Sequence, residues 1–359
     1  IDGKYEDGRH PSSVRFTGNI EDDLRRRDFT MNALAWNEEK GIVDPFGGVR
    51  DIEARLIRAV GVPGERFKED ALRMLRAIRF AATLDFEIHR ETLEAIAENR
   101  ELIRNISAER IRDELTGIIT SPNPGKFMLL KETGLLEIIL PEVNACFNTP
   151  QHNPHHIYNV GEHTMKTVES VENSPILRWT MLLHDTGKAL TRTTDAKGVD
   201  HYYGHARKSE ELSRDILKRL RFDNKSSDRV LRLIRYHDRQ ILPGSKYVAR
   251  AVNAVGEDIF MDLMKVKRAD TLGKNPDEVE KRLRITDMVE KIYLKLKEEN
   301  YCLGLDDLAV NGKDLMEIGF KEGKEIGRVL NLLLDKVFEN PGLNDKKKLL
   351  ELARRELIT

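Results

Sequence analysis

The stretch RFKEDALRMLRAIRF, residues 66–80, constrains the fold of this chain more than any other. Its apolar residues follow the i, i+3, i+7 spacing of a helix face that packs against a core. The apolar residues at this spacing, with those beside them, are Ala71, Met74, Ile78, Ala81, Leu72, Leu75 and Ala82. We therefore predict one continuous helix over residues 66–80, with one side buried.

The charged side chains of this stretch recur at every third position. These residues are Asp70, Arg73, Arg76 and Arg79. Steps of three residues drift by about 60° on a helix of about 3.6 residues per turn, so the side chains fan across one side. The stretch holds five basic and two acidic residues, a net charge of 5 − 2 = +3. A solvated face with ion pairs is the simplest interpretation, and the flanking motifs argue against it.

Composition limits the kinds of function that the chain can have. A length of 359 residues predicts two or three domains. The net charge is −1, so any nucleic-acid site must come from segregated charge and not from a global excess. Cys146 and Cys302 lie far apart in the sequence and form no ligand spacing, which is typical of the reducing cytoplasm. The sequence contains no apolar run of about 18 residues, so we expect no membrane segment.

Turn residues and strand patterns divide the chain into four parts. Short strands are predicted in the first part, at residues 13–17, 41–43 and 56–60, around a helix at residues 20–35. The other three parts are predicted to be helical throughout, with a break at Pro63-Gly64. The four predicted domains are residues 1–62, 63–145, 146–275 and 276–359. The predicted fold class is therefore mainly α, with an α/β part at the start.

Two segments of the first part contain residues that are suited to binding a ligand or to a close approach of the backbone. In RRRDFTMNALA, residues 25–35, Arg27 and Asp28 lie at a polar turn of an otherwise apolar helix, four residues before Asn32. An Arg beside an Asp can present a fixed guanidinium fork to a phosphate or a ribose. A structural ion pair is the alternative. In DPFGG, the pair Gly47-Gly48 lets the backbone approach a neighbour closely.

Five motifs together resemble the class II tRNA nucleotidyltransferases, which are the CCA-adding enzymes and their poly(A) polymerase relatives. The motifs are YEDGR at residues 5–9, RRDFTMNALA, DPFGG, EDALRMLRAIRF and SAERIRDEL, the last ending at Leu115. Their order and spacing make the resemblance specific. It implies a polymerase-β-like head that leads into a helical neck. It also implies ATP and CTP as substrates, Mg²⁺ as cofactor and tRNA as partner, with no DNA and no membrane.

The resemblance assigns nucleotide contacts to seven residues. They are Arg27, Asp28, Asn32, Asp70, Arg73, Arg76 and Arg79. Arg27 takes the place of the family's nucleotide-binding arginine, while Asp70 and Arg73 take the place of the pair that reads the base. Glu109 and Arg110 match a neck motif of the family. In the family this motif supports the helix that reads the base, which is the predicted helix over residues 66–80.

One departure from the family concerns catalysis. The family carries a Gly-rich phosphate motif and metal-binding carboxylates upstream of the segment that matches Ile1. Phosphoryl transfer needs Mg²⁺ on the phosphate oxygens, so we expect the Mg²⁺ ligands upstream and no catalytic residue for nucleotidyl transfer within this chain. A poly(A) polymerase, an enzyme that adds only part of CCA, a phosphohydrolase with an RNA-binding neck and a pure RNA-binding module stay open as alternatives.

The middle third of the chain holds a second constellation. Four histidines and two aspartates lie at the polar ends of apolar runs, namely His163, His184, Asp185, His205, His237 and Asp270. Imidazole and carboxylate ligands suit a divalent metal, whereas a single buried histidine is more often a hydrogen-bonded core residue. The order H…HD…H…H…D resembles HD-domain phosphohydrolases, a known companion domain of this family.

The resemblance to HD-domain phosphohydrolases assigns these six residues to two metal ions. It implies that His163, His184, Asp185 and Asp270 hold one divalent transition metal, and that His205 and His237 allow a second. Lys188 is placed to meet a phosphate. The run QHNPHH, residues 151–156, is predicted to be an entry loop of this domain. In the tail, backbone amides at Gly319, Gly323 and Gly327 are predicted near two helix starts, where they could meet RNA phosphates.

Overall fold

The computed structural model describes residues 18–39, 41–152 and 157–356. They divide into two compact units: the first runs to Arg235 and includes Leu272–Asn275, and the second comprises Tyr236–Thr271 and the residues from Pro276 onward. Each unit is mainly helical, which confirms the predicted fold class. No described helix is long and apolar enough to cross a membrane. The motif YEDGR and the predicted strand at 13–17 lie outside the described residues.

The first unit begins with short helices and strands. In chain order they are α1 Ile20–Arg25, a 3-10 helix Thr30–Asn32, β1 Ala35–Asn37, β2 Gly41–Val43, α2 Gly48–Glu53, β3 Leu56–Ile57, α3 Pro63–Glu69, α4 Leu72–Leu84 and β4 Glu87–Ile88. Strands β1 and β2 form an antiparallel hairpin, and β3 pairs with β4 in parallel. The predicted strand at 41–43 is confirmed, whereas the one at 56–60 is shorter than predicted.

The rest of the first unit is an array of helices with one small hairpin. In chain order it comprises α5 Arg90–Asn99, a 3-10 helix Arg100–Asn105, α6 Ala108–Ile119, a 3-10 helix Pro124–Phe127, α7 Met128–Glu132, α8 Leu135–Ile139, α9 Pro141–Cys146, α10 Val160–Ser170, α11 Pro175–Leu183, α12 Lys188–Thr191, β5 Thr193–Thr194, β6 Asp200–His201, α13 His205–Arg219 and α14 Asn224–Tyr236. Helix α6 packs against α4 on one side and α11 on another, so one core joins the predicted neck to the histidine-rich part. Leu75, Leu115 and Trp179 are fully buried in this core.

The described elements of the second unit are all α-helices or short 3-10 helices. Its elements are α15 Ser245–Val255, α16 Glu257–Leu272, α17 Pro276–Glu298, a 3-10 helix Leu305–Asp307, α18 Gly312–Glu317, α19 Lys324–Glu339, a 3-10 helix Pro341–Leu343 and α20 Lys346–Glu356. Helix α15 packs against α17 and α19, and α19 also contacts α18 and α20. Gly323 directly precedes α19, whereas Gly327 lies inside it, so only one of the two is at a helix start.

The prediction of one helix over residues 66–80 was wrong at its centre. Helix α3 ends at Glu69 and α4 begins at Leu72, because Asp70 has an extended backbone with φ −146° and ψ 103°. The Leu72 N–H donates to Asp70 Oδ1 at 3.0 Å, which satisfies a backbone donor at the start of α4. Asp competes with the helical backbone in this way more strongly than most residues do. Asp70 therefore lies at a junction and not on the face of a helix.

The predicted helix over residues 20–35 is also interrupted. It ends at Arg25, and Phe29 is extended, with φ −128° and ψ 152°, and forms an isolated bridge with Ala59. Phe29 is fully buried and its ring packs edge-on against Phe80, with ring centroids 5.8 Å apart. Burial of this ring stabilises the extended conformation over the local helical propensity.

The glycines of DPFGG have the role that the sequence predicts. Gly47 adopts φ +75° directly before α2, and a Cβ atom on Gly48 would lie 2.2 Å from the Thr30 carbonyl oxygen. The backbone of α2 therefore approaches the segment that carries Asn32 as closely as only glycine permits.

We expect Gly48→Ala to destabilise the first unit by about 1–3 kcal/mol, because the added methyl group must displace backbone. Urea denaturation measures the free energy of unfolding. Gly64→Ala is the control, since its Cβ would meet only the Asn99 side chain, at 3.5 Å. Equal stability of the Gly48 and Gly64 variants would show that the close approach is not required.

Candidate functional site: an arginine-rich cleft and a histidine cluster

A cleft of about 590 Å³ opens in the first unit, where the segment after α1 meets the junction of α3 and α4. Its size is in the range of small-molecule sites. It is lined by Arg26, Arg27, Asp28, Asn32, Asp70, Leu72, Arg73, Arg76, Phe80 and Arg110. Five arginines and two aspartates give a net charge of 5 − 2 = +3, so the cleft favours an anionic ligand.

Asp28 and Arg76 form a two-pronged ion pair across the cleft. Arg76 Nε donates to Asp28 Oδ2 at 2.8 Å, and its NH2 group lies 2.6 Å from the same oxygen. Asp28 Oδ1 accepts from Asn32 Nδ2 at 3.1 Å and from the Phe29 N–H at 2.9 Å. Three predicted nucleotide contacts, Asp28, Asn32 and Arg76, are therefore held in one network, and the guanidinium of Arg76 is fixed in orientation.

The predicted fork of Arg27 beside Asp28 does not form. Arg27 NH2 donates instead to Asp23 Oδ2 at 3.0 Å, and half of the Arg27 side chain is exposed. Arg26 also donates to Asp23, at 2.6 Å, and these two bonds hold the pKa of the Asp23 carboxyl below its usual value. Both arginines thus reach the cleft from the end of α1, where they remain accessible to an anion.

Asp70 is paired with Arg110 and not with Arg73. Arg110 NH2 donates to Asp70 Oδ2 at 2.7 Å, which joins the start of α4 to α6. Arg73 NH1 donates to Glu69 Oε2 at 2.7 Å, and Arg73 NH2 donates to the Arg26 carbonyl oxygen at 2.8 Å. Asp70 and Arg73 are therefore not ion-paired with each other, although both line the cleft.

Arg79 contacts Glu114 and Phe80 and does not line the cleft. Its Nε donates to Glu114 Oε2 at 2.5 Å, and its guanidinium lies 4.4 Å from the centre of the Phe80 ring. These contacts tie α4 to α6, and Arg79 is not among the residues that line the cleft. Arg26, Leu72 and Phe80 line the cleft without having been predicted. Arg26 and Phe80 left a signal in the sequence, since Arg26 directly precedes Arg27 in RRRDFTMNALA and Phe80 lies one helical turn after Arg76.

Three histidines surround one carboxylate in the middle of the first unit. Asp185 Oδ2 lies 3.5 Å from His163 Nε2 and 3.3 Å from His184 Nε2, and Asp185 Oδ1 lies 3.5 Å from His205 Nε2. All four residues are buried. His163, His184 and Asp185 could hold a metal ion, since each offers one ligand atom within 4.8 Å of the others.

Backbone carbonyls fix the tautomer of each of these histidines. The Nδ1 atoms of His163, His184 and His205 lie 2.9, 2.7 and 2.9 Å from the carbonyl oxygens of Gly273, Met181 and Tyr202. Because a carbonyl oxygen only accepts, we assign the proton to Nδ1 in each ring. In its neutral form, each ring then presents the Nε2 lone pair to the carboxylate. Three lone pairs directed at an anion form an arrangement that a cation stabilises.

Lys188 lies against the same carboxylate. Its Nζ is 2.7 Å from Asp185 Oδ2 and donates to Gln151 Oε1 at 3.0 Å. Burial and then the charge of Asp185 raise the pKa of the Cys146 thiol to about 12, so this thiol is protonated at neutral pH. A thiol binds metal as the thiolate.

The two remaining predicted ligands, His237 and Asp270, belong to the second unit. Both are buried, and Lys267 Nζ donates to the His237 carbonyl oxygen at 2.8 Å. In the predicted entry loop, His152 Nδ1 lies 3.0 Å from Asp200 Oδ2, while His155 and His156 lie outside the described residues.

Family models cover most of the chain. The poly(A) polymerase head domain matches residues 1–58, the "Probable RNA and SrmB-binding site of polymerase A" matches 85–147, and tRNA nucleotidyltransferase domain 2 matches 204–353.

Among solved structures, the chain is similar to a Bacillus stearothermophilus CCA-adding enzyme in complex with CTP. The TM-score is 0.66 at 26% identity, over 97% of this chain and 78% of the other. A Thermotoga maritima CCA-adding enzyme complexed with tRNA shares the fold, with a TM-score of 0.54 at 19% identity, over 94% of this chain and 74% of the other.

Two curated relatives extend over nearly the whole chain. An A-adding tRNA nucleotidyltransferase of Deinococcus radiodurans is 32% identical over 335 residues, which is 88% of this chain and 75% of the relative. A CCA-adding enzyme of Ligilactobacillus salivarius is 30% identical over 357 residues, which is 98% of this chain and 76% of the relative. The chain therefore belongs to the family of tRNA nucleotidyltransferases and poly(A) polymerases.

Proposed function

We propose that the protein adds C, C and A to the 3′ end of tRNA, from CTP and ATP, and that the arginine-rich cleft selects the incoming nucleotide. The observation that carries this proposal is that Asp70 and Arg73 line one cationic cleft without pairing with each other. The family membership and the likeness to an enzyme in complex with CTP support it. Because the cysteines are buried and unpaired, we also infer a cytoplasmic location.

The hydrogen-bonding edges of the bases explain how two side chains could select C and A. Cytosine and adenine each offer an amino donor beside a ring-nitrogen acceptor, whereas uracil and guanine offer the reverse. An ionised Asp only accepts and an Arg only donates. Asp70 beside Arg73 therefore complements C and A and opposes U and G.

The other arginines of the cleft suit the triphosphate. Arg76 presents a guanidinium that Asp28 holds in place, and Arg26 and Arg27 are the more exposed donors. Fixed guanidinium forks bind phosphate oxygens in two-pronged fashion. Asp28 and Asp70 do not fit a Mg²⁺ site, because each is engaged by an arginine. We therefore derive no step through Mg²⁺ from the described cleft.

Calorimetric titration of the protein with each of the four ribonucleoside triphosphates tests nucleotide selection. We expect CTP and ATP to bind roughly 5- to 150-fold more tightly than UTP and GTP, which corresponds to about 1–3 kcal/mol for one bidentate pairing. Equal affinity for all four would contradict the proposal.

The state of the tRNA end separates complete CCA addition from addition of A alone. For complete addition, tRNA that lacks CCA should increase the affinity for CTP, and tRNA that ends in CC should increase the affinity for ATP. An enzyme that adds only A, or a poly(A) polymerase, should show no gain for CTP with either tRNA.

A second function is favoured by the histidine cluster. We propose that His163, His184 and Asp185 hold a divalent transition metal, and that His205, which faces the other oxygen of Asp185, allows a second ion. Three Nε2 atoms directed at one carboxylate support this proposal. When bound, such an ion supplies a water of lowered pKa and polarises a phosphoryl oxygen. Lys188 would bind a phosphate oxygen beside it, and the reaction class is hydrolysis of a phosphate ester.

A further inference from the structure

The guanidinium of Arg76 is held by an aromatic ring as well as by a carboxylate. Its central carbon lies 5.3 Å from the centre of the Phe80 ring, which is within the range of a cation–π contact. Asp28 Oδ2 lies 2.6 Å from the NH2 group of the same guanidinium. Because Arg76 and Phe80 both line the arginine-rich cleft, the ring supports a charge that is accessible to a ligand.

The Phe80 ring is itself fixed by its neighbours. It packs edge-on against Phe29, with ring centroids 5.8 Å apart and an interplanar angle of 84°. Phe29 is fully buried, and its N–H donates to Asp28 Oδ1 at 2.9 Å. The carboxylate and the ring that hold Arg76 are therefore joined to each other through Phe29. This closed set of contacts restricts the orientation of the guanidinium before a ligand binds.

A second arginine lies over the same ring and is anchored in α6. The guanidinium carbon of Arg79 lies 4.4 Å from the centre of the Phe80 ring, and Arg79 Nε donates to Glu114 Oε2 at 2.5 Å. A Cβ atom on Gly117 would lie 2.5 Å from Arg79 Cδ. Gly117 lies inside α6, where glycine is unfavourable, and it leaves the space that the Arg79 side chain occupies. Arg79 thus supports Phe80 without lining the cleft.

A guanidinium that is already oriented suits the phosphate chain of a nucleotide. A flexible arginine loses side-chain entropy when it binds phosphate oxygens, whereas an arginine that is fixed beforehand loses less. The guanidinium of Arg76 is fixed by Asp28 and by the Phe80 ring. The ring therefore contributes to anion affinity through Arg76.

We propose that Phe80 is a positioning residue for the phosphate chain of the incoming nucleotide, and that it acts by orienting the guanidinium of Arg76. This inference rests on the proposed function of the cleft. The phosphate chain is common to all four nucleoside triphosphates, whereas Asp70 and Arg73 are proposed to read the base. Loss of the Phe80 ring therefore lowers the affinity for every nucleotide by the same factor and leaves the ratio of the CTP and UTP dissociation constants unchanged.

Tripolyphosphate carries the phosphates of a nucleotide without its base, and it should compete with CTP for the cleft. We expect Phe80→Leu to weaken the binding of tripolyphosphate and of CTP by the same factor in calorimetric titrations of the metal-free protein. The expected factor is roughly 2- to 30-fold, which corresponds to about 0.5–2 kcal/mol for a cation–π contact. Phe80→Tyr should bind as the wild type does, because it retains the ring. Phe80→Met, whose flexible side chain fills the same space, should behave as Phe80→Leu does.

Phe86→Leu is the matched control for loss of a ring. Arg55 lies 5.7 Å from the centre of the Phe86 ring, so this pair makes the same kind of contact, but neither residue lines the cleft. Phe86→Leu should therefore keep the wild-type affinity for tripolyphosphate and for CTP. Urea denaturation measures how much stability each variant loses, so that binding is compared between folded proteins.

A double-mutant cycle shows whether Phe80 acts through Arg76. In the Arg76→Gln background, Phe80→Leu should cause no further loss of tripolyphosphate affinity. If the loss is the same with and without Arg76, or if Phe80→Leu and Phe80→Met bind as tightly as the wild type, the positioning role is overturned and the proposed function of the cleft stands. A changed ratio of the CTP and UTP dissociation constants in Phe80→Leu would overturn it as well. If the wild type binds neither tripolyphosphate nor CTP, both proposals are wrong.

Discussion

Asp185→Asn is expected to abolish the metal binding that we propose for the histidine cluster. Asp185 is the carboxylate that His163, His184 and His205 share, at 3.3 to 3.5 Å. Asn has nearly the same shape but no charge, so the three lone pairs lose the anion that balances a divalent cation. Metal analysis after exhaustive dialysis should fall from about one or more ions per chain to background, as the loss of a ligand from a closed site predicts.

Thermal unfolding gives an independent measure of the same site. A metal that binds only the folded protein stabilises it by about 2.7 kcal/mol at a concentration 100 times the dissociation constant. Added Mn²⁺ should therefore raise the Tm of the wild type and leave that of Asp185→Asn unchanged. Asp195→Asn is the matched control, because Asp195 also contacts a histidine, His201, at 3.0 Å but lies outside the cluster.

The competing interpretation is a purely structural cluster in which Lys188 is the balancing cation. Lys188 is 5% exposed and lies 2.7 Å from Asp185 Oδ2. Removal of one partner of a buried ion pair destabilises a protein by roughly 3–5 kcal/mol. Loss of this pair lowers the Tm of Asp185→Asn under either interpretation, so the effect of Mn²⁺ decides between them. If Mn²⁺ does not shift the Tm of the wild type, the metal proposal is wrong.

The sequence predicted the residues of the cleft better than the contacts among them. Motifs identified Arg27, Asp28, Asn32, Asp70, Arg73 and Arg76, and the structure brings all six to the cleft, whereas Arg79 does not line it. Their partners come from elsewhere in the chain: Arg76 pairs with a residue 48 positions away, and Arg110 with one 40 positions away. Spacing along a helix carries no information about such tertiary pairs. Arg110 was predicted to support the helix that carries Arg73. Its hydrogen bond to Asp70, directly before that helix, is a contact through which it can do so.

The breaks in the two predicted helices show a different limit. The apolar spacing continues across Asp70, and Met74 and Ile78 are fully buried as predicted. An extended residue between two helices leaves that spacing almost unchanged, so periodicity cannot detect it. At Phe29 the local pattern favours a helix, but packing against Phe80 decides the conformation. The four predicted domain boundaries stay a prediction.

Asp70→Asn is expected to relax nucleotide selection without unfolding the protein. Asp70 has two roles, because its Oδ1 caps α4 at the Leu72 N–H and its Oδ2 holds Arg110. Asn caps helices as well as Asp does, so the fold should be retained. Its amide, however, both donates and accepts, and it can pair with the edge of uracil as well as with that of cytosine. The ratio of the CTP and UTP dissociation constants should therefore move towards equality by roughly 5- to 150-fold.

Comparison of three variants distinguishes base reading from a structural role for Asp70. Asp70→Ala should lose both the cap and the selection, with about 1 kcal/mol of stability lost from the cap. Arg73→Ala should lose selection, because the donor that opposes guanine and uracil is gone. Asp85→Asn is the matched control, since the ion pair of Asp85 with Arg55, at 3.0 Å, is exposed and its residues do not line the cleft. If Asp70→Asn and Arg73→Ala both keep the wild-type ratio for CTP and UTP, then Asp70 and Arg73 do not read the base, and the junction of α3 and α4 has only a structural role.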